Sequence, residues 1–505
     1  MVLVRRHAIV LLVAIVCLVA TAAAPLAPAL AQARSDGQEI EAEESAEERA
    51  EEEAILTHAR RPWTGDLDGM RKRGFLRVLT TYNLIYYFLD GARERGIAHE
   101  LSEAFEAHLN RTRPKGSGRI NVVIIPVPWN ELIPSLNAGV GDIVAANMTI
   151  TGQRRALVDF GAPLLRDVKE LVVSGPAAPE IASLGDLATN TLHLRPSSSY
   201  REHVDALNAG RRAAGKAEIP VTDADELLED GDLLEMVDAG ILPAVVVDSH
   251  MARFWDQFLP NIEVHQTLAV NADGEIAWAM RKDSPQLMRA VNAFVKRARA
   301  GTLLGNVVLN RYLLARDWLD NPLTEARRQR FDTTAEVIRR YAAEYDFDWL
   351  MIAAQGYQES GLDQSKRSHR GAIGVMQVLP STAADPAVNI PNIEQLDANV
   401  HAGVKYLRWL RTTYFSDPAI DPIDRVLLSF AAYNAGPGNI RRARSRARRM
   451  DLNPDRWFGH VEVAAGMYVS REPVVYVRNI YKYYVAYRLA LAKLDRRESV
   501  KELME

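Results

Sequence analysis

The sequence predicts a multidomain protein in which an α/β region is followed by an all-α region. Its 505 residues are about three times the length of a typical domain. Short apolar runs alternate with helical patterns between about Gly74 and Tyr312, whereas no strand pattern occurs from Phe331 onward. Hydrophobic residues make up 48% of the chain and charged residues 25%, as in ordinary globular proteins. This composition excludes a mostly disordered protein and a multi-span membrane protein.

The N-terminus has the features of an export signal. Basic residues at positions 5–7 precede an apolar run from Ala8 to Ala24, and small residues at 29–33 offer cleavage sites. The apolar run is shorter than the roughly 20 residues that a membrane span needs. We therefore expect residues 1–31 to be a signal peptide and the protein to be periplasmic, with peripheral association with the outer membrane; a retained anchor helix is the alternative.

The composition also predicts an acidic linker, and it argues against nucleic-acid, metal and cofactor binding. From Glu39 to Glu53 nine of fifteen residues are glutamate, so residues 32–65 are predicted to be a solvated linker. The net charge of -4 gives no global case for a nucleic-acid partner. The single cysteine, Cys17, lies in the first apolar run, and no closely spaced histidine pair occurs. The sequence therefore predicts neither a metal site nor a cofactor.

The secondary-structure elements follow from hydrophobic periodicity. Strands are predicted at Phe75–Leu79, Ile120–Val127, Asp142–Ala145, Ala244–Val247 and Ile276–Met280, with helices at Ala98–Leu109 and Pro285–Ala298. The all-α region is predicted to contain helices at Phe331–Tyr345, Trp349–Ser360, Asp397–Phe415, Asp424–Tyr433 and Pro473–Leu494. Residues 313–330, which include Asn321 and Pro322, are predicted to link the two regions.

One carboxylate stands at the end of a predicted helix, where a negative charge is unfavourable. Asp348 is a good N-cap for this helix and Gly361 is placed to end it, so Glu359 falls in the last turn. The negative pole of the helix and burial would both raise the pKa of Glu359. A glutamate that is neutral at pH 7 is a general acid. Taken alone, such a residue is more often a solvated surface group.

Four ordered blocks supply the context for Glu359. They are Gln358-Glu359-Ser360-Gly361, Ser368 followed by Gly371-Ala372-Ile373-Gly374-Val375-Met376-Gln377-Val378-Leu379-Pro380-Ser381-Thr382-Ala383, Ala431-Ala432-Tyr433-Asn434-Ala435-Gly436-Pro437-Gly438, and Glu472 with Tyr476-Val477-Arg478-Asn479. They resemble the lytic transglycosylase domain of the soluble-lytic type. The resemblance covers about residues 331–490 and implies that residues 331–505 form an all-α, lysozyme-like domain.

The resemblance also implies roles for individual residues. Glu359 corresponds to the catalytic acid and base. The predicted substrate-binding residues are Ser368, Met376, Gln377, Tyr433, Asn434, Glu472 and Tyr476. The implied substrate is the glycan strand of peptidoglycan, cleaved at the β-1,4 bond of N-acetylmuramic acid with closure of a 1,6-anhydro ring. The alternative for Met376, Tyr433 and Tyr476 is plain core packing.

A run of arginines follows the third block. Arg441, Arg442, Arg444, Arg446, Arg448 and Arg449 crowd into nine residues. This run is either a solvated helix or loop face or a patch that attracts anionic carboxylates of the wall polymer. Nucleic acid is a weaker alternative, because no aromatic residues are interleaved with the arginines.

The α/β region carries a second resemblance. Residues 141–160 read G-D-I-V-A-A-N-M-T-I-T-G-Q-R-R-A-L-V-D-F, which is similar to a stretch in the periplasmic solute-binding proteins for amino acids. The resemblance covers residues 66–312 and implies two α/β lobes, with residues 166–262 inserted as the second lobe. A site for an amino acid or stem-peptide ligand is implied at Arg154, Asp248, Asn147, Thr149 and Ser198. Arg154 would bind the ligand carboxylate and Asp248 its ammonium group.

Three functional hypotheses follow. The first is a non-hydrolytic peptidoglycan-cleaving enzyme with a ligand-sensing domain, and this order of domains resembles that of certain membrane-bound lytic transglycosylases. The second is a muramidase that uses water, and the third is a solute receptor whose helical domain only tethers it to the wall.

Overall fold

The computed structural model describes residues 61–83, 85–90, 93–313, 325–470 and 472–504. The predicted signal peptide and most of the predicted acidic linker lie outside these residues, as do positions 314–324 of the second predicted linker. Within the described part of the chain, no helix is both long and apolar enough to cross a membrane.

Twelve strands in the described residues form two five-stranded sheets and one hairpin. Strands β1 to β12 span Phe75–Thr80, Phe88–Asp90, Arg93–Arg95, Asn121–Pro126, Ile143–Val144, Asp159–Phe160, Leu165–Ser174, Leu192–Leu194, Val221–Asp223, Ala244–Asp248, Glu263–Ile276 and Ala279–Met280. The first sheet has the order β4-β1-β5-β12-β6, the second has the order β11-β7-β10-β8-β9, and β2 pairs with β3.

The described α-helices are divided between the two regions of the chain. In the α/β region, α1 to α9 span Leu67–Arg73, Ile97–Arg111, Leu132–Asn137, Gly152–Leu157, Ser199–Ala213, Asp230–Asp238, Ser249–Trp255, Pro285–Ala298 and Leu303–Leu313. In the all-α region, α10 to α17 span Glu325–Glu344, Trp349–Ser360, Pro380–Ala384, Leu396–Tyr414, Pro422–Ala435, Pro437–Arg449, Glu462–Tyr468 and Glu472–Met504.

The α/β region consists of two lobes, one around each sheet. In the first lobe, β1 pairs in parallel with β4 and β5, and the returning strand β12 pairs antiparallel with β5 and β6. The long strands β7 and β11 connect the lobes and pair antiparallel. Leu165 pairs with Ile276 at one end of this ladder, and Ser174 pairs with Glu263 at the other. The second lobe therefore extends to Ile276, beyond the predicted limit at residue 262, because β11 continues along β7.

The predicted elements are largely confirmed, and the differences have local causes. Helices Pro285–Ala298 and Trp349–Ser360 match the prediction to the residue. The predicted strand Ile276–Met280 is divided, because the chain leaves the second sheet at Ile276 and enters the first sheet at Ala279. Helix α10 begins at Glu325, so the end of the predicted 313–330 linker is helical. The arginine-rich run forms helix α15.

The all-α region surrounds a core to which α17 contributes a long face. Helices α11 and α14 pack directly against α17. The loop between α11 and α12 is fastened to this core by Asn399 of α13, which is fully buried. The Asn399 amide donates to the carbonyl of Ile373 at 2.8 Å and accepts from the backbone N–H of Met376 at 2.9 Å.

Helix α17 also joins the two regions within one compact unit that includes residues 59–505. The Tyr481 hydroxyl donates to Asp225 of the second lobe at 2.9 Å. Lys482 forms ion pairs with Asp232 at 3.3 Å and with Glu235 at 3.1 Å. The second lobe is therefore attached to the helical region through side chains of α17.

The close packing of α13 against the loop after α11 can be tested at Gly403. A Cβ atom at this position would lie 2.5 Å from Cβ of Met376, which is too close for the two groups to coexist without movement. We expect Gly403→Ala to lower the free energy of unfolding by about 1–3 kcal/mol, as overpacked cores do. Urea denaturation measures this change.

The matched control is Gly210→Ala in α5, where nothing lies within 4 Å of the added methyl group. Helix propensity alone should make this variant more stable by about 0.5–1 kcal/mol. Destabilisation of both variants to the same extent would contradict the packing argument.

Candidate active site and candidate ligand cleft

The helix that carries Glu359 is defined at both ends by capping residues. The Asp348 carboxylate accepts from the backbone N–H of Leu350 at 2.9 Å. Gly361 ends the helix in the left-handed conformation with φ 68°, which glycine adopts without steric cost. Glu359 thus lies in the last turn of α11, as predicted, and is partly buried.

A chain of two hydrogen bonds ends on the Glu359 carboxyl group. The Tyr476 hydroxyl donates to Glu359 Oε1 at 2.5 Å. The Gln355 side-chain amide donates to the Tyr476 hydroxyl oxygen at 3.2 Å. Because this oxygen accepts from Gln355, its own proton is directed at Glu359. Gln355 is fully buried and Tyr476 nearly so, which fixes the chain of contacts in place.

The environment of Glu359 favours its protonated form. Burial raises the pKa of Glu359 to about 7, and the nearby carboxylate of Glu472 adds to the increase. The hydrogen bond from Tyr476 and the positive charge of Lys366 lower the pKa but do not offset burial. Near neutral pH the carboxyl group therefore exchanges readily between its acid and base forms, as a proton-transfer catalyst requires.

Tyr433, Asn434 and Glu472 lie together beside this carboxyl group. The Tyr433 hydroxyl donates to the carbonyl of Met376 at 2.8 Å. The Asn434 amide nitrogen lies 3.4 Å from Glu472 Oε1, to which it donates. The Asn434 side-chain oxygen is buried and has no hydrogen-bond partner within the described part of the chain. This oxygen is available to accept a hydrogen bond from a substrate.

The remaining predicted substrate-binding residues differ in how deeply they are buried and in their hydrogen-bond partners. Ser368 is half-buried and its hydroxyl accepts from the backbone N–H of Ala372 at 3.0 Å. The Gln377 amide donates to the carbonyl of Gly374 at 2.8 Å. Met376 is fully buried against Gly403, so the prediction that its side chain lines a groove is wrong. Met376 instead supports the site through its carbonyl, which holds Tyr433.

Sequence reasoning missed Gln355. Its position one turn before Glu359 on α11 places it on the same face of the helix. A glutamine within an otherwise apolar helical stripe is the signal that would have identified it. The sequence alone does not reveal its partner, Tyr476, which lies 121 residues further along the chain.

In the α/β region, the predicted ligand-binding residues contact one another across the two lobes. Asn147 of the first lobe donates to Asp248 of the second at 2.5 Å. The Tyr86 hydroxyl donates to the Asn147 side-chain oxygen at 2.6 Å and lies 2.9 Å from His250 Nε2. The lobes are therefore closed on each other by polar contacts among these side chains.

Arg154 is also engaged by protein groups. Its guanidinium donates to the carbonyl of Thr149 at 3.0 Å and to the carbonyl of Ser197 in the second lobe at 2.9 Å. Its Nε atom forms an ion pair with Glu202 at 3.1 Å. The side chain of Ser198 faces its own helix, where it accepts from the backbone N–H of Arg201 as the N-cap of α5. Ser197, the neighbour of Ser198, makes the contact with Arg154, and the predicted contact of Ser198 with a ligand stays a prediction.

Closure buries Asp248 almost completely. Burial, together with the negative charges of Glu170 and Asp230, raises the pKa of Asp248 well above its ordinary value, and the Asn147 amide and Arg154 offset only part of this increase. One oxygen of Asp248 has no hydrogen-bond partner in the described residues. A cationic group that entered the cleft would relieve this unfavourable burial of an acid.

Two family matches agree with these two sites. Residues 336–454 match the transglycosylase SLT domain, and residues 78–307 match family 3 of the bacterial extracellular solute-binding proteins. The first match includes Glu359, Tyr433 and Asn434 and ends before Glu472 and Tyr476. The fold and the two matches together support a lytic transglycosylase domain joined to a solute-binding domain.

Similarity to known proteins extends over both domains. The chain is 29% identical over 432 residues to membrane-bound lytic murein transglycosylase F of Desulfosudis oleivorans, which covers 82% of this chain and 90% of that protein. The protein of the same name from Pseudomonas putida is 26% identical over 441 residues, covering 83% of this chain and 86% of that protein. The chain is therefore a relative of membrane-bound lytic murein transglycosylase F.

Solved structures of amino-acid-binding proteins are similar to about half of the chain. A mutant of ArgBP from T. maritima is 20% identical, with a TM-score of 0.39, and covers 49% of this chain and 99% of that chain. An ancestral arginine-binding protein bound to glutamine is 23% identical, with a TM-score of 0.38, and covers 47% of this chain and 97% of that chain.

The hydrogen bond from Tyr476 predicts the direction in which the pKa of Glu359 changes when this donor is removed. Tyr476→Phe removes a donor to the ionised form, so the pKa of Glu359 should rise above about 7. Gln355→Leu should move the pKa in the same direction by a smaller amount, because it only weakens that donor. Carbon-13 NMR titration of labelled glutamate carboxyl groups measures both changes, with the signal assigned by its absence in Glu359→Gln.

Tyr341→Phe is the matched control, because the Tyr341 hydroxyl donates to Asp397 and not to Glu359. This variant should leave the titration of Glu359 where it is in the unmodified protein. A pKa that falls in Tyr476→Phe would contradict the assigned direction of the hydrogen bond.

Proposed function

We propose that the protein cleaves the glycan strands of peptidoglycan without consuming water, and that its solute-binding domain regulates this activity by binding an amino acid or a stem peptide. The observation that carries the first part is the Glu359 carboxyl group, which is partly buried, has a pKa of about 7 and accepts from Tyr476. The similarity to lytic murein transglycosylases F supports the choice of substrate.

The proposed reaction uses Glu359 twice. In its acid form it protonates the oxygen that leaves C1 of N-acetylmuramic acid, and the C1–O bond breaks. The resulting carboxylate takes the proton of the C6 hydroxyl group of the same sugar while O6 bonds to C1, which closes the 1,6-anhydro ring and restores the acid. A group whose pKa lies near the working pH serves both steps.

The neutral side chain of Asn434 is suited to orient the sugar. The unpartnered side-chain oxygen of Asn434 can accept from the N–H of a 2-acetamido group. That acetamido group is then held beside C1, where its carbonyl oxygen can stabilise the positive charge that develops as the bond breaks. The hydrogen bond from Asn434 to Glu472 fixes the rotamer of the asparagine for this purpose.

A hydrolytic muramidase is the second candidate, and Glu472 is the observation that favours it. Most glycosidases that use water need two carboxyl groups, one as the acid and one as the base or nucleophile. Glu472 is an exposed carboxylate whose charge acts on Glu359. The products distinguish the two reactions, because anhydro products are lighter than hydrolytic products by one water.

The proposed regulation depends on contacts that α17 makes with both lobes. The Arg478 guanidinium lies 5.0 Å from the ring centre of Tyr82 in the first lobe. Tyr481 and Lys482 contact carboxylates of the second lobe. Tyr476 precedes these residues by less than two helical turns. A change in the angle between the lobes therefore acts on the helix that supplies the donor to Glu359.

The proposed location is the periplasm, after removal of residues 1–31, with peripheral association with the outer membrane. The basic start, apolar run and small residues of the N-terminus support export. The relatives named as membrane-bound support an association with a membrane.

The first test of this function is Glu359→Gln with digestion of peptidoglycan. The variant keeps the shape of the side chain but has no transferable proton, so the rate should fall by at least ~100-fold. Mass spectrometry of the products should show 1,6-anhydro ends for the unmodified protein. Glu472→Gln, which removes a carboxylate beside the same site, is the matched control and should lose much less activity.

Hydrolytic products would support the muramidase, and no products from the unmodified protein would support a receptor. Comparable losses in Glu359→Gln and Glu472→Gln would contradict the proposed use of a single carboxyl group.

The second test is the dependence of kcat/KM on pH. The free enzyme needs protonated Glu359, so the rate should fall as the pH rises through about 7. Because the charge of Glu472 raises the pKa of Glu359, Glu472→Gln should move this decline to lower pH. A rate that is constant from about pH 4 to 8 would contradict a reaction limited by this group.

The third test concerns the ligand cleft and uses calorimetry with amino acids and stem-peptide fragments. Arg154→Ala removes the proposed carboxylate partner and should weaken binding by at least ~10-fold, since hydrogen bonds to charged groups contribute more than neutral ones. Arg155→Ala, an exposed arginine on the same helix, is the matched control and should leave binding intact.

The same ligands should change the rate of peptidoglycan cleavage if the domains are coupled. Allosteric coupling is typically worth about 1–3 kcal/mol, or about 5- to 150-fold in affinity. Equal binding by the Arg154→Ala and Arg155→Ala variants would refute the site, and binding without any change in cleavage would refute the regulation.

A further inference from the structure

Helix α15 presents a dense positive face to solvent. Its apolar side is buried through Ile440, Ala443 and Ala447. Four of its arginines are exposed: Arg441, Arg442, Arg448 and Arg449. We call these four residues the arginine surface.

The arginine surface is not neutralised by neighbouring acids. Among the described residues, none of the four arginines forms an ion pair with a carboxylate; Arg442 donates only to the neutral side chain of Asn439. Arg444 differs, because it is paired with Asp455 and bonded to the carbonyl of Pro454 at 2.8 Å. The chain as a whole has a net charge of -4. A concentrated positive field on an acidic protein is suited to an anionic partner.

The helix that carries the arginine surface begins close to the active-site residue Asn434. Helix α15 begins at Pro437, three residues after Asn434. The Asn439 amide donates to the carbonyl of Ala435 at 2.7 Å, and its side-chain oxygen accepts from Arg442. These two hydrogen bonds link Arg442 to the carbonyl of Ala435, which directly follows Asn434.

Arg446, a partly buried arginine of α15 outside the arginine surface, contacts the helix that precedes Glu472. The Arg446 guanidinium, one turn after Arg442, lies 4.8 Å from the ring centre of Tyr468 at the end of α16. The chain then returns to Glu472 within four residues. A glycan strand bound beside Asn434 and Glu472 would thus lie near the first turn of α15.

We propose that the arginine surface binds carboxylate groups of the peptides that project from the glycan strand, so that the enzyme prefers peptide-bearing glycan to peptide-free glycan. This inference rests on the proposed function and adds a substrate preference to it. Arginine suits the task, because its planar fork of donors matches a carboxylate. The contacts form at the surface, so they depend on ionic strength.

The experiment compares two substrates and two forms of the full-length protein. The variant carries Arg441→Gln, Arg442→Gln, Arg448→Gln and Arg449→Gln, since glutamine is a good helix former and leaves the buried side of α15 intact. Initial rates are measured on peptide-bearing glycan and on the same glycan after enzymatic removal of its peptides. The readout is the ratio of the two rates.

At low ionic strength this ratio should fall about tenfold in the variant, as expected for four exposed charge pairs. At about 0.5 M salt the ratios of the two proteins should converge, because such charges are then screened. The matched control replaces Arg111, Arg113, Lys115 and Arg119, four exposed cations of the α/β region, with glutamine. This control makes the same change in net charge and should keep the ratio of the unmodified protein.

Three outcomes would overturn the inference. The ratio remains unchanged in the variant, or the control lowers it equally, or the unmodified protein but not the variant sediments with phosphatidylglycerol vesicles while the ratio stays constant. The last result would assign the surface to a membrane. Release of anhydro products from peptide-free glycan tests the proposed function separately, so that the two ideas fail independently.

Discussion

The active site depends on keeping one carboxyl group buried without a cation in contact with it. An ion pair would hold Glu359 ionised, whereas full exposure would return its pKa to the ordinary range. Within the described residues, Glu359 accepts from the neutral donor Tyr476, which together with the charge of Lys366 lowers the pKa but leaves it at about 7. The buried Gln355 orients that donor, and the two caps of α11 fix where the glutamate lies.

This arrangement makes α17 the element on which both domains depend. Tyr476 reaches Glu359 from α17, and the following turns of the same helix contact Tyr82 of the first lobe and Asp225 of the second. Tyr476 and Tyr481, which make these contacts, are five residues or about 7.5 Å apart along the helix. The proposed regulation would act through this short segment of α17.

Sequence patterns were informative where local physics decides the structure. The bounds of α11 follow from Asp348 and Gly361, and burial of Glu359 in the last turn raises its pKa. Contacts between distant segments were not predictable. Met376 resembles a groove residue by motif but is buried, because α13 has a glycine opposite it at Gly403.

In the ligand cleft, too, contacts between distant segments were not predictable from the sequence. These contacts affect the affinity for a ligand. The motif identifies Arg154 and Asp248 as candidate ligand-binding residues. It does not reveal that in the closed lobes Arg154 is bonded to Ser197 and Asp248 to Asn147. At the proposed site, a ligand would have to break these contacts before replacing them, so its measured affinity would be the intrinsic affinity reduced by the cost of opening. Burial raises the pKa of Asp248 and makes the closed form less stable than its hydrogen bonds alone would suggest. A cationic group on the proposed ligand would remove that penalty, so its charge would favour a ligand-bound closed form over the empty one.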